Sequence, residues 1–103
     1  MNIGNYQDYV HEGLINRGER GRPTEPDAII LEMVGELGEA LNAYKHARKW
    51  IDVATATEEA HLGEELGDLL WYVFAVCDTL GFDVEQVVRN NMHKLNERYG
   101  EIV

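Results

Sequence analysis

Two acidic stretches, Glu36-Leu-Gly-Glu39 and Glu65-Leu-Gly-Asp68, lie at the centre of this chain. Within each stretch the two acids stand three residues apart, so on an α-helix both carboxylates lie on one face, about one turn from each other. Both stretches fall between Thr24 and Leu80, in a segment whose apolar residues recur at helical spacing. The sequence therefore predicts a helical hairpin that carries four paired acids.

Apolar stripes define the two helices of this hairpin. The first is predicted from the N-cap Thr24 to about His46, and the second from Thr57 to Leu80, where Gly81 ends it. A connector is predicted between the two helices, over residues 47–56. Thr55 or Thr57 would cap the next helix. The predicted inner face of the first helix consists of Ile29, Ile30, Met33, Val34, Leu37, Ala40, Leu41 and Tyr44. That of the second consists of Leu62, Leu66, Leu69, Leu70, Val73, Phe74, Cys77 and Leu80.

Two further helices flank the hairpin. One is predicted from Asn2 to Asn16, and the last begins after the cap Asp83, with Gln86 in a capping-box position, and runs to Tyr99. Four amphipathic helices joined by short loops predict an all-α fold, a four-helix bundle that forms a single domain over residues 1–103.

The segment from Arg17 to Pro23 is rich in arginine and contains two glycines. This composition predicts a mobile loop between the first two helices. One interpretation is a solvated connector. The other is a flap in which Arg17, Arg20 or Arg22 reaches a phosphate group of a bound ligand.

Composition narrows the classes of partner. The 103 residues carry a formal net charge of −10, which disfavours the phosphate contacts of stable nucleic-acid binding. A small phosphorylated ligand remains compatible, because a cation held by carboxylates turns an acidic pocket into a phosphate site. No apolar run approaches the length of a membrane span, and the single cysteine, Cys77, is typical of a reducing compartment. We therefore expect a cytoplasmic protein.

Helical geometry predicts that the four acids meet. Both pairs lie just outside the same edge of their apolar stripes, and Glu39 and Glu65 lie at similar distances from the connector. Carboxylates this close repel one another unless a cation neutralises them, and an all-oxygen site suits Mg²⁺ or Mn²⁺ better than zinc. The alternative is that these acids are solvated boundary residues. A di-iron site at Glu58 and His61 would need a second Glu-x-x-His motif, and the other helices provide none.

The segments Val34-Gly-Glu-Leu-Gly-Glu-Ala-Leu41 and Glu64-Glu-Leu-Gly-Asp-Leu-Leu70 resemble the all-α nucleoside triphosphate pyrophosphohydrolases of the MazG type. The resemblance extends from about Ile29 to Tyr99. It implies that Glu36, Glu39, Glu65 and Asp68 bind Mg²⁺, with Mn²⁺ as a substitute. It also implies a homodimer or homotetramer that completes the bundle and has the cleft near the subunit interface. This chain departs from the family pattern at Gly35, where relatives carry a further Glu, and Glu32 lies one turn away.

The same resemblance implies contacts to substrate. Tyr72 corresponds to an aromatic position beside the nucleotide, and Asn91 and Lys94 lie in a last-helix segment that approaches phosphate or sugar. Arg98 shares one helix edge with them, although an ion pair with Glu97 or Glu101 is an equal alternative. Two tryptophans have open roles: Trp71 in an oligomer interface and Trp50 on a base, or both in plain packing.

The resemblance and the acids together predict metal-dependent hydrolysis of a nucleoside or deoxynucleoside triphosphate to monophosphate and pyrophosphate, a housecleaning activity on the nucleotide pool. Glu36 is the first candidate for the base that accepts a proton from water, and Glu32 is the second. The alternative is a non-catalytic helical module that binds a nucleotide or a protein.

Overall fold

The structure, a computed structural model, describes residues 1–49 and 56–100. These residues form four helices: α1 (Ile3–Glu19), α2 (Pro26–Lys49), α3 (Ala56–Thr79) and α4 (Val84–Tyr99). The described part of the chain contains no strand, so the all-α prediction is confirmed.

The helix ends follow local sequence chemistry. The Asn5 amide donates to the Asn2 side chain at 2.8 Å, and the Glu85 amide donates to Asp83 at 3.2 Å, so both predicted starts are observed. Gly81, with a φ of 79°, ends α3 as expected, and the Phe82 amide donates back to the Cys77 carbonyl at 2.8 Å. In place of a reciprocal capping box, the side-chain Nε2 of Gln86 donates to the side-chain Oδ1 of Asn90 at 2.8 Å.

The hairpin helices differ slightly from the predicted bounds. Helix α2 starts with Pro26 at its first position, two residues after the predicted cap, and continues to Lys49. Thr57 lies inside α3 and is therefore not its cap. The other candidate cap, Thr55, and the predicted stacking residue Trp50 lie outside the described residues.

The prediction of a mobile loop from Arg17 to Pro23 was wrong in its first half. Helix α1 continues to Glu19, and Arg17 is buried on the same face as Val10 and Leu14. The physical reason is that Glu32 neutralises the Arg17 guanidinium, so a charged residue extends an otherwise apolar face.

Helices α2 and α3 form the hairpin, α1 packs on α3, and α4 packs on α1 and α3. The core between α1, α2 and α3 contains Val10, Leu14, Ile29 and Ala75, and Tyr6 packs edge-on against Phe74 with ring centroids 4.8 Å apart.

Gln7 of α1 fixes the turn between α3 and α4. Its side chain accepts from the Val84 amide and donates to the Phe82 carbonyl, both at 2.9 Å. One turn later in α1, His11 Nδ1 lies 2.7 Å from an Asp78 carboxylate oxygen of α3. These polar contacts fix the register of α1 against the second half of α3.

The predicted inner faces of the hairpin are not covered by the described residues of one copy of the chain. Buried positions on the two helices are Ile29, Ala40, Ala43 and Ala75, which are mostly small. The large members of the predicted stripes that are 40–60% exposed are Val34, Leu37, Leu41, Tyr44, Leu66, Leu70, Val73 and Leu80. The radius of gyration of 16.3 Å also exceeds the roughly 13 Å typical of about 100 residues. A single copy is therefore open, with an apolar hairpin surface facing outward.

Candidate metal centre

Three of the four predicted acids converge between the hairpin helices. Glu36 comes from α2, and Glu65 and Asp68 come from α3, one turn apart. One carboxylate oxygen from each lies within 4.8 Å of the others. This spacing allows three oxygens to share one divalent cation after small side-chain adjustments.

The electrostatics of this cluster favour a bound cation. Burial raises the pKa of both Glu36 and Glu65, and nearby carboxylates raise each pKa further, while His61 opposes the rise at Glu65. Among the described residues, Oε2 of Glu36 and Oε2 of Glu65 are buried without a hydrogen-bond partner. Buried carboxylate oxygens in this state cost free energy that a hard cation would recover.

The fourth predicted ligand, Glu39, lies at the rim of the cluster. It is exposed, and its carboxyl lies close enough to Glu36 and Glu65 to raise the pKa of each. His61 flanks the other side, with Nε2 3.7 Å from Glu65. The structure thus places three acids together and adds Glu39 beside them.

A cleft of about 390 Å³ adjoins the acids. Its lining residues come from the end of α1, the following turn and the hairpin: Arg17, Arg22, Glu36, Asp68, Trp71 and Tyr72. Trp71 and Tyr72 lie edge to face with ring centroids 5.2 Å apart. The cleft is therefore lined by two acids, two aromatic residues and two arginines.

A hydrogen-bonded network of Arg17 and Glu32, beside Tyr72, borders the cleft. Nη2 of Arg17 donates to both carboxylate oxygens of Glu32, and Nε donates to the Pro23 carbonyl at 2.8 Å. Burial is the main cause of the raised pKa of Tyr72; Glu32 raises that pKa further and Arg17 lowers it. Sequence reasoning missed this network, although Arg17 follows Val10 and Leu14 at helical spacing on the buried face.

This network bears on the second candidate base. Both oxygens of Glu32 accept hydrogen bonds from Arg17, so the carboxylate already has a structural partner. Glu36, in contrast, lines the cleft, and within the described structure its buried Oε2 has no hydrogen-bond partner.

Known proteins resemble the part of the chain that contains these acids. The family model of the MazG nucleotide pyrophosphohydrolase domain matches residues 24–103. The chain belongs to this family. Residues 1–23, which include α1, Arg17 and Arg22, precede the match.

Two relatives share part of the MazG-like segment. The chain is 34% identical to the Gene 37 protein of Mycobacterium phage L5 over 71 residues, covering 68% of this chain and 62% of the phage protein. It is 30% identical to the uncharacterized protein YvdC of Bacillus subtilis (strain 168) over 74 residues, covering 69% of this chain and 70% of that protein. The match thus spans less than two thirds of the length of the phage relative.

The remaining residues implicated by the MazG resemblance occupy different places. Tyr72 lines the cleft, whereas Asn91, Lys94 and Arg98 of α4 are exposed and, within the described part of one copy, do not line it. Helix α4 contacts α1 and α3 but not α2 in this part of the chain. A role for Asn91, Lys94 and Arg98 beside the acidic cluster stays a prediction, and it would require a second copy of the chain.

None of the described helices combines sufficient length with sufficient apolar character to cross a bilayer.

Proposed function

We propose that this chain is a Mg²⁺-dependent pyrophosphohydrolase that cleaves a nucleoside or deoxynucleoside triphosphate between its α and β phosphorus atoms, giving monophosphate and pyrophosphate. The main observation that supports this proposal is the convergence of Glu36, Glu65 and Asp68 in a chain of the MazG family. A cytoplasmic role in nucleotide housecleaning, without stable nucleic-acid binding, is part of this proposal and accords with the charge of −10.

The residues present fit a hard divalent cation. The donor set contains only carboxylate oxygens, which suits Mg²⁺ or Mn²⁺, and two buried oxygens in the described structure lack any other partner. Glu36, Glu65 and Asp68 would hold the ion, with Glu39 as a further ligand at the rim. When bound, such an ion neutralises phosphate charge and lowers the pKa of a coordinated water.

The side chains of the cleft have separate tasks in this proposal. Glu36 accepts the proton of the attacking water, because it lines the cleft and, unlike Glu32, is not engaged by Arg17. Trp71 and Tyr72 offer an aromatic wall for the nucleoside. Glu32 orients Arg17 and is the weaker candidate for the base.

A second copy of the chain completes the fold in this proposal. The outward apolar surface of the hairpin is large for an isolated copy, and a homodimer or homotetramer would bury it. The same association could bring the exposed Asn91, Lys94 and Arg98 to the cleft of a neighbouring subunit.

The test is pyrophosphate release from a panel of ribonucleoside and deoxynucleoside triphosphates, including damaged bases, with Mg²⁺, Mn²⁺ or EDTA. We expect release from at least one triphosphate with metal and none with EDTA. Glu36→Gln should abolish release while the circular dichroism spectrum stays that of a folded protein. An absence of turnover across the panel with either metal would contradict the proposal.

The alternative is a helical module that binds nucleotide or protein without chemistry. Gly35 favours it, because this position lacks the further acid of the family, and the surrounding space would admit a side chain. Nucleotide binding that is insensitive to Mg²⁺ in calorimetry, without turnover, would support this alternative.

A further inference from the structure

We propose that Arg22 is a phosphate-binding residue of the cleft, and that it holds the β and γ phosphates that leave as pyrophosphate. This inference rests on the proposed function. It concerns a residue just before the segment that matches the MazG family, so it assigns a role to a part of the chain that the match does not cover.

Arg22 lies at the cleft beside the acids. It lines the same cleft as Glu36 and Asp68, two members of the acidic cluster. A triphosphate that places its reacting phosphorus near these acids extends its remaining phosphates into that cleft. Acidic side chains repel these phosphates, so a cation on the same cleft would help to retain them beside a metal ion at the acids.

Arg17 cannot serve as this cation. Arg17 is 7% exposed, and its guanidinium donates to Glu32 and to the Pro23 carbonyl. A phosphate would have to displace these partners and leave the Glu32 carboxylate uncompensated.

Arg22, in contrast, is exposed. Within residues 1–49 and 56–100, no hydrogen bond or ion pair engages its guanidinium. A guanidinium with free donors binds phosphate oxygens in a bidentate manner, which a lysine cannot reproduce. Arg22 therefore combines access to the cleft with unused donor capacity.

The backbone around Arg22 is anchored on both sides. The Arg22 amide donates to the Arg17 carbonyl at 3.0 Å, and the next residue, Pro23, accepts from Arg17 Nε at 2.8 Å. Gly21, with a φ of 73°, provides the left-handed turn between the end of α1 and Arg22. Arg17 is thus a positioning residue that fixes the backbone from which Arg22 extends.

The test uses inorganic pyrophosphate with Mg²⁺ as the probe, because it requires no knowledge of the base. Isothermal titration of the wild-type chain is compared with Arg22→Gln, Arg22→Lys and the charge-matched control Arg89→Gln, which removes an exposed arginine of α4. We expect Arg22→Gln to bind pyrophosphate at least about tenfold more weakly, the size of a lost charge-assisted hydrogen bond. Arg22→Lys should recover part of the affinity, and Arg89→Gln should match wild type.

The outcomes separate this inference from the proposed function. Equal pyrophosphate affinity of wild type and Arg22→Gln, or no binding by wild type, would overturn the role of Arg22 even in an active enzyme. Arg22-dependent binding without turnover of any triphosphate would support the phosphate site and contradict the proposed hydrolysis. In an active enzyme, Arg22→Gln should lower kcat/KM for the triphosphate at least about tenfold.

Discussion

Individual carboxylates set the electrostatic state of the cleft. The pKa of Glu36 and of Glu65 is raised in the folded chain, first by burial and then by neighbouring acids. A group whose folded pKa exceeds its unfolded value contributes stability that is present below the unfolded pKa and lost as pH rises through the folded pKa. Without metal, the folded chain should therefore be less stable at neutral pH than in mild acid.

The variant Glu65→Gln tests this repulsion. At neutral pH in EDTA it should have a higher Tm than wild type, because it removes one buried charge from the cluster. Mg²⁺ should then raise the Tm of wild type more than that of the variant. Glu64→Gln, at the exposed neighbouring position, is the matched control. If both variants respond to Mg²⁺ like wild type in thermal melts, Glu65 is not a ligand.

His11 provides a second titrating contact, between α1 and α3. Its hydrogen bond to Asp78 raises the His11 pKa above its ordinary value. The added stability should be fully present below the unfolded pKa of about 6.5 and should disappear as pH rises through the folded pKa. His11→Gln should lose this pH dependence in urea melts, whereas the control His93→Gln should keep it. A wild-type stability curve with no change on this interval would contradict the assignment.

Sequence alone predicted the acids of α2 and α3 because helical spacing fixes which side chains share an edge. It misplaced Arg17, because glycine and proline nearby indicated a loop, whereas pairing with Glu32 allowed the helix to continue. That pairing joins residues 15 positions apart, so it depends on how α1 and α2 are placed, which local spacing does not contain.

Among the elements, α1 lies outside the family match and packs against the cleft wall. It lies close to Trp71 at Gly13, where an added Cβ would stand 3.4 Å from the indole. Alanine fits at this distance, but a larger side chain would push α1 away from α3 and disturb the cleft wall formed by Trp71.

Gly13→Leu should therefore lower the free energy of unfolding by about 1–3 kcal/mol. Gly63→Leu on α3 is the control, because nothing lies within 4 Å of a Cβ there. Urea denaturation of both variants measures the difference. Equal stability of the two variants would show that α1 does not pack on Trp71 in solution.

The four helices were predictable because each has its own apolar stripe, and Asn2 and Asp83 in addition cap α1 and α4. The way in which those stripes pack could not be predicted from the sequence. Ala40, Ala43 and Ala75 allow close approach at buried positions, while larger residues such as Leu41 and Leu70 remain about half exposed. Periodicity marks an apolar face but does not indicate whether a helix of the same chain or a second copy covers it.

At the scale of the whole molecule, the open hairpin surface predicts association. Leu70 is 55% exposed on α3, and a glutamate there would place a charge in the proposed subunit interface. Leu70→Glu should shift the chain to a smaller species in size-exclusion chromatography with light scattering. Ile15→Glu on α1, at a 50% exposed position outside the hairpin, is the control. A wild-type monomer at micromolar concentration would contradict the proposed oligomer.

The central claim is that the acids between α2 and α3 form the metal site at which a triphosphate is cleaved. Its most direct test is Mg²⁺-dependent pyrophosphate release by wild type, Asp68→Asn and the neighbouring control Glu64→Gln, all checked for folding by circular dichroism. The account predicts release by wild type and Glu64→Gln and none by folded Asp68→Asn. Undiminished release by Asp68→Asn would contradict it.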